Sequence, residues 1–413
     1  MKKRHIYVSC ELGSYSIKII VSEVIGNETL VLSSSNTRCK GIQNGEIVDV
    51  DVVKEYLNSG LNKVEEMLGI KVEEVILGIN VKDKKYDVID EKINIALENH
   101  IIDSKDVNEL LNNACNNNKK DDETVLLVMP INFKVDNKEI VKNPKGMIAS
   151  SLELKAVIVK VNSDLLTPYI ELFKSVGVKL VDITLAEIGD YFTCHTKDFD
   201  KGVSALINIG FNKMNISIFN KGIMVKNKVV NEGSILIDKE LSMRYNIKRS
   251  QARKLKENFA LAKIKYSEFD DTIELNTKSD SKVIINQQDV TEIVEARISY
   301  LLKLAKKEIN LLTKREISNI IITGGITDLV GFLSVSESIF NCRVTVLDLE
   351  TIGIRNNMYS SCYGLVKYFH YKLNLRELDY SMVDMSDYTI ETNDKAKSKD
   401  SILNKMFGYF KDE

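Results

Sequence analysis

The chain has 413 residues, 57 Lys plus Arg against 59 Asp plus Glu, a formal net charge of −2, 44% hydrophobic residues and no tryptophan. That length suits roughly two to four domains, and the missing basic excess argues against a general nucleic-acid binder. The apolar fraction argues against wholesale disorder. No apolar run approaches the ~18–20 residues of a membrane span, and Ile6 to Leu12 is too short, and too soon interrupted by Glu11, for a signal peptide. Cys10, Cys39, Cys115, Cys194, Cys342 and Cys362 are scattered without a CxxC pair. They read as reduced thiols of a cytoplasmic protein, so a secreted, transmembrane-transporter or zinc-module reading is not expected.

In chain order, Ile6–Cys10 and Ile17–Val24 are β-rich runs joined by the turn Glu11-Leu12-Gly13-Ser14-Tyr15-Ser16, and Thr29–Ser33 is a third run. Val53, Leu57, Leu61, Val64 and Leu68 recur at helical spacing, and Val75–Ile79 reads as a strand, giving an opening βββαβ. Residues 82–160 break this rhythm. A polar helix is expected from Ser104 to Asn113, with strands at Thr124–Met129 and Leu152–Val161 and a loop between them punctuated by Pro130 and Pro144. The stretch reads as an inserted module. A helix through Leu165–Phe173 and a strand Lys179–Ile183 follow.

The hairpin plan then returns. Val203–Ile209 and Met214–Phe219 flank Gly210-Phe211-Asn212-Lys213, and Ile223–Val230 completes a second triple of strands. An internal duplication is the simplest reading. Residues 238–307 read as mostly helical, including Lys248–Glu257 and Val290–Asn310. A strand Ile320–Ile322, a helix through Phe340 and a strand Arg343–Leu347 follow, with the ordered chain expected to end near Leu375.

Three turns sit at strand ends: Glu11-Leu12-Gly13-Ser14, Asn208-Ile209-Gly210-Phe211-Asn212 and Thr323-Gly324-Gly325. Glycine there lets backbone N–H groups approach an anion, and Ser14, Ser16 and Lys18 can add donors to a phosphate. One such turn is more often a plain turn, but three in order within a duplicated plan form a pattern.

With these residues the sequence resembles the actin/Hsp70/sugar-kinase superfamily, and within it the FtsA family of bacterial division proteins. The FtsA likeness rests on Met129–Asn137, Asn143–Met147, Leu152–Leu154 and Gly41–Asp49; it covers about residues 5–372 and the last dozen residues. The resemblance implies an α/β, actin-like (ribonuclease H-like) duplicated ATPase fold. Subdomain 1A takes 1–81 and 161–200, the FtsA-type insertion 1C takes 82–160, 2A takes 201–237 and 308–375, and 2B takes 238–307. A flexible linker (376–400) and an amphipathic helix (401–413) complete the plan. It further implies ATP as cofactor. Gly13, Ser14, Tyr15, Ser16, Lys18, Gly210, Phe211, Asn212 and Lys213 fall on its phosphate loops. Gly324, Gly325 and Ile326 fall on its adenosine loop, and Gln251, Lys254 and Lys256 on a helix that contacts adenosine.

The departures matter as much. The family's two loop aspartates hold Mg2+, largely through water. Here they are Glu11 and Asn208, and two glycines of the second loop are Phe211 and Asn212. Lys213 either supplies charge to a phosphate or faces water. Glu187 lies where relatives place a water-polarising residue; a helix-surface glutamate is the alternative. The expectation is weak ATP binding with slow or no hydrolysis and doubtful Mg2+.

Residues 376–394 carry one basic and six acidic side chains, and 395–411 five lysines against Asp400. At about 100° per residue, Ile402, Leu403, Met406, Phe407, Tyr409 and Phe410 share one arc, with Lys405 and Lys411 outside it, the pattern of an interfacial membrane helix. By family likeness the partners are the FtsZ C-terminal peptide (around 238–307), late divisome proteins (through 82–160), membrane lipids at the septum, and other copies of the chain in actin-like filaments. No nucleic acid is expected. The alternatives are an FtsA paralogue, a pilus-assembly scaffold, or a small-molecule kinase of the same superfamily.

Overall fold

The computed structural model describes residues 4–43, 45–95 and 101–383. The opening consists of β1 (Arg4–Leu12), β2 (Ser16–Ile25), β3 (Glu28–Arg38), the short pair β4 (Ile42–Gln43) and β5 (Glu46–Ile47), α1 (Val50–Leu68) and β6 (Glu74–Ile79). Helix α1 starts where the Asp49 side chain accepts from the Val52 N–H at 3.1 Å and stops at left-handed Gly69, burying Val53, Leu57, Leu61 and Val64. The inserted stretch follows as β7 (Lys85–Asn94), α2 (Ser104–Asn117), β8 (Glu123–Val135), β9 (Glu139–Val141) and β10 (Ser151–Asn162). Next come α3 (Thr167–Ser175), β11 (Lys179–Leu185) and α4 (Ala186–Cys194).

The second half contains β12 (Val203–Ile209), β13 (Met214–Asn220), β14 (Ile223–Val230), α5 (Ile235–Arg244), α6 (Arg249–Asn258), β15 (Thr272–Asn276) and β16 (Lys282–Asn286). It continues with α7 (Gln287–Leu312), β17 (Asn319–Thr323), α8 (Phe332–Ile339), β18 (Arg343–Val346) and α9 (Ser360–Arg376). The chain packs as two units. Of the described residues, one comprises 4–43, 45–95, 101–193, 351–353 and 361–383; the other comprises 194–350 and 354–360.

Each unit is built on a five-stranded sheet. The first runs β3-β2-β1-β6-β11 and the second β14-β13-β12-β17-β18. In both, the first three strands are antiparallel and the last two join in parallel. The duplication read from two hairpins is therefore carried by topology. The strands suit burial on both faces, since Ile6 to Leu12 of β1 are all buried and so are all residues of β17.

The insertion has its own sheet, ordered β7-β10-β8-β9, and its own core around Ile89, Leu110, Phe133, Leu152 and Leu154. Sequence reasoning did not find β7. It is an edge strand whose Lys85, Asp87, Asp90, Glu91 and Lys92 mask its period, a charge pattern that protects an open edge. Pro130 lies inside β8 rather than in a loop. It sits next to a register shift opposite Ala156, and β9 reaches only Phe133–Val135, so no neighbour asks for its missing N–H. Residues 238–307 also hold a hairpin, β15–β16, beside the expected helices.

Two features depart from the sequence boundaries. Helix α9 packs from Ser361 on with the first unit, not with 308–346. The reason is a backbone crossing: a Cβ on Gly364 would lie 1.7 Å from the Gly189 carbonyl, and one on Gly189 would lie 2.1 Å from the Ser361 carbonyl. The packed chain also continues past Leu375. Met382 and Val383 are buried, the Met382 N–H donates to the Ile6 carbonyl at 2.9 Å, and the Tyr380 hydroxyl donates to Glu74.

Candidate nucleotide-binding loops

The first loop is the β1–β2 turn. The Gly13 N–H donates to the Ser16 carbonyl at 3.1 Å, and the Tyr15 carbonyl accepts from Cys39 N–H at 2.7 Å. The Arg38 guanidinium lies over the Tyr15 ring at 5.6 Å. Glu11 and Lys18 face each other across the hairpin, and Lys18 Nζ donates to Glu11 Oε2 at 3.0 Å with both side chains largely buried. Burial alone would pull the Lys18 ammonium down. The Glu11 charge, with Cys362 and Asp190 adding, holds it above the ordinary lysine value. Ser16 is buried, and Ser14 Oγ is buried with no hydrogen-bond partner.

Glu187 opens α4 and is 1% exposed, so it is not a helix-surface residue. It forms a buried ion pair with Lys84, the residue entering β7 of the insertion; its other oxygen, Oε2, has no partner. Burial, with the same carboxylate adding, pushes the Tyr86 hydroxyl up.

The second loop closes like the first, with Gly210 N–H donating to the Lys213 carbonyl at 3.0 Å. Its carbonyls are turned to the start of α5: Ser234 N–H donates to Gly210 at 3.0 Å and Ile235 N–H to Phe211 at 2.9 Å. A Cβ on Gly233 would come within 2.6 Å of both carbonyls, so this junction requires glycine. Phe211 is held under the Arg253 guanidinium at 4.1 Å. Arg253 in turn donates from Nε at 2.9 Å and Nη2 at 2.7 Å to Asp238 Oδ2, and Lys256 Nζ lies 2.7 Å from Oδ1. Asp238 is fully buried, so this cluster fixes α5, α6 and the loop together. Asn212 and Lys213 are part-exposed on the turn, and Asn208 pairs in register with Asn215 and Thr323.

The third loop leaves β17 at Gly324, whose φ is 108°. A Cβ there would meet the Ile209 carbonyl at 2.3 Å and Asn208 Oδ1 at 3.0 Å, so Gly324 brings β17 against the end of β12. Gly325 is different: its Cβ would sit 3.5 Å from Met358 Cβ, an ordinary contact. Ile326 is buried in the second unit's core. The Gly324 carbonyl accepts from Thr327 Oγ1 at 2.8 Å, and Thr327 Oγ1 from Asn357 Nδ2 at 2.8 Å, a buried support that sequence reasoning missed. Gln251 is occupied elsewhere, accepting from Lys248 N–H at 3.0 Å and donating to the Asn276 carbonyl at 3.1 Å. Lys254 is exposed on α6, and Lys256 belongs to the Asp238 cluster. The segment 401–413, with Ile402, Leu403, Lys405, Met406, Phe407, Tyr409, Phe410 and Lys411, lies outside the described residues.

The loops fit parts of a magnesium nucleotide unequally. The orphaned Ser14 hydroxyl and the room at Gly325 suit a phosphate oxygen and a close backbone approach. The donor set does not suit Mg2+: Glu11 is committed to Lys18, Asn208 is neutral, and no group of three or more His, Cys, Asp or Glu among the described residues is placed to hold a metal ion.

A family model described as the SHS2 domain inserted in FtsA matches residues 84–160, and one described as cell division protein FtsA matches 205–364. Together they span more than half of the chain. Cell division protein FtsA of Bacillus subtilis is 23% identical over 370 residues, covering 89% of this chain and 84% of that protein. FtsA of Staphylococcus epidermidis is 23% identical over 407 residues, covering 97% and 87%. Among solved structures, the PilM–PilN type IV pilus biogenesis complex superposes with TM-score 0.55 at 9% identity, covering 87% of this chain and 97% of that one. MreB5 of Spiroplasma citri bound to ADP gives 0.52 at 11%, covering 89% and 97%. EutJ, an ethanolamine utilization protein from Carboxydothermus hydrogenoformans, gives 0.53 at 13%, covering 89% and 90%. The fold is therefore actin-like. With duplicated five-stranded sheets, the inserted module and both model matches in place, the chain belongs to the FtsA family of cell division proteins.

Proposed function

We propose that the chain tethers filaments of the tubulin-like FtsZ to the cytoplasmic face of the membrane at the division septum and recruits later division proteins. The observation that carries this reading is the combination of an FtsA-type insertion at 84–160 with an amphipathic, lysine-flanked segment at 401–411. A pilus scaffold has no use for such a segment, and neither has a small-molecule kinase. One such short apolar, lysine-flanked sequence suits reversible binding to lipid, and several copies along a filament hold by avidity. The FtsZ C-terminal peptide is assigned to the segment 238–307, and late division proteins and neighbouring subunits to 82–160.

ATP binds weakly, with slow or no turnover. Ser14 and the Gly324-Gly325 turn support nucleotide binding. The Glu11–Lys18 pair, neutral Asn208 and the Lys84–Glu187 pair argue against efficient metal-dependent hydrolysis. Those same three features favour the neighbouring reading, a family member that has given up nucleotide-driven assembly.

The test is co-sedimentation with anionic liposomes, with and without FtsZ, comparing the full chain with a version ending at Val383. A cut at Leu375 would remove the packed residues Tyr380 to Val383 and confuse the result. The full chain is expected to pellet with liposomes and carry FtsZ with it, while the shortened chain stays in the supernatant. A full chain that stays in the supernatant overturns the tether.

A further inference from the structure

The C-terminal end of α9 is finished by another part of the first unit. A helix leaves its last four carbonyls without intrahelical donors. Here the Leu373 carbonyl accepts from Leu378 N–H at 2.9 Å and Asn374 from Glu377 N–H at 3.2 Å. The remaining two are taken by side chains of the inserted module. Lys145 Nζ donates to the Leu375 carbonyl at 3.4 Å and Asn108 Nδ2 to the Arg376 carbonyl at 3.3 Å. Lys145 brings its positive charge to the negative end of the helix dipole.

The turn itself is strained without that help. Glu377 has φ 53°, the left-handed position that helix ends normally give to glycine. Lys145 Nζ also pairs with Glu377 at 2.8 Å, holding its carboxyl below the ordinary value. Arg376 Nη1 donates to Asn112 on α2 at 3.2 Å. The module therefore grips both sides of the turn.

What leaves the turn is a strap. Leu378 to Val383 run back to the open end of β1, where β6 pairing begins only at Ser9. Ile6 N–H donates to Ser381 Oγ at 2.9 Å, the Ile6 carbonyl accepts from Met382 N–H at 2.9 Å, and Val8 N–H lies 3.1 Å from Met382 Sδ. His5 and Asp379 pair at 2.7 Å. The strap thus fills a sheet edge that would otherwise expose backbone donors and acceptors.

We propose that the inserted module latches this strap, so that displacing the module from α9 frees Leu378–Val383 and lengthens the chain leading into the C-terminal tail. At roughly 3.3–3.6 Å per extended residue, release adds at most about 20 Å of reach. A partner that draws the module off the end of α9 thereby lengthens that chain. The inference rests on packed side chains of one unit and is independent of the nucleotide and FtsZ readings.

Hydrogen exchange on the full-length protein tests it, with Lys145→Glu, which repels Glu377 and the helix end, against Lys145→Arg, which keeps the charge. Lys145→Glu is expected to speed exchange of the Leu378 and Met382 amides about tenfold. The amides of Val157 in the module and Ile216 in the other unit keep their rates, and Lys145→Arg stays close to wild type. Adding Glu377→Gly to Lys145→Glu removes the repulsion between the two carboxylates and the strain of the turn, leaving only the repulsion from the helix end, and slows the strap part of the way back. Unchanged strap exchange in Lys145→Glu overturns the proposal. So does a variant in which Val157 exchanges freely while the strap stays protected, because the strap would then hold without the module.

Discussion

The β1–β2 turn of the first unit and the β12–β13 turn of the second have the same backbone and different chemistry. Each closes with a glycine N–H donating to the carbonyl three residues on, at 3.1 Å for Gly13 and 3.0 Å for Gly210. In each, a Cβ on the glycine would lie under 3 Å from that same carbonyl, 2.8 Å for Gly13 and 2.9 Å for Gly210. These glycines are required by the turn itself. What a ligand would meet is set by the other side chains, and there the copies part. The first turn keeps an orphaned serine hydroxyl and commits its carboxylate to Lys18, whereas the second places a phenylalanine under Arg253 and an asparagine at the strand end. The sheet core fixes the turn backbone in both copies, while the side chains at the turn surface are free to differ.

The comparison breaks hardest at the carboxylates. If those of the first unit are structural, Lys84→Met leaves a buried, unpaired Glu187 and costs roughly 3–5 kcal/mol in urea unfolding, while Lys84→Met with Glu187→Leu recovers most of it. A loss below 1 kcal/mol would return Glu187 to the list of available catalytic groups. Next is the third loop. Gly324→Ala, with positive φ and a carbonyl 2.3 Å away, is expected to cost about 2 kcal/mol or more, whereas Gly325→Ala leaves stability within about 0.5 kcal/mol and weakens ATP binding. Gly324 is therefore a poor probe of nucleotide contact and Gly325 a clean one.

A smaller effect sharpens the comparison from the other side. Asn208→Asp returns a carboxylate to the second loop, and a gain of about tenfold in Mg2+-dependent ATP affinity, or 1.4 kcal/mol, is expected by titration calorimetry. The smallest concerns His370 beside the strap, whose pKa burial lowers from the ordinary value of 6.5. The unfolded chain takes up that proton first, so stability falls as pH drops through that value; His370→Gln is expected to flatten this small loss between pH 7 and 5 in urea unfolding.

Much of the fold was legible because it is written in local periods. The opening strands, α1 with its Asp49 and Gly69 stops, and the recurring hairpin all announce themselves within a few residues. The Glu11–Lys18 pair was not read from the sequence, which set Lys18 on a phosphate and Glu11 near a metal; the hairpin register that places Leu12 opposite Ile17 brings the two side chains together instead. What failed to show depends on distant chain. Lys84 meets Glu187 across more than 100 residues of sequence, and Lys145 and Asn108 meet the end of α9 from further still. Residues 376–383 look like an acidic linker in sequence, because the open edge of β1 that receives them cannot be seen from their own composition.

The most direct test of the divergence between the loops is an ATP titration of the wild-type protein in Mg2+ and again in EDTA. The account predicts the same weak affinity within about twofold, since neither strand end offers Mg2+ a free carboxylate. A tenfold or greater strengthening by Mg2+ would contradict it.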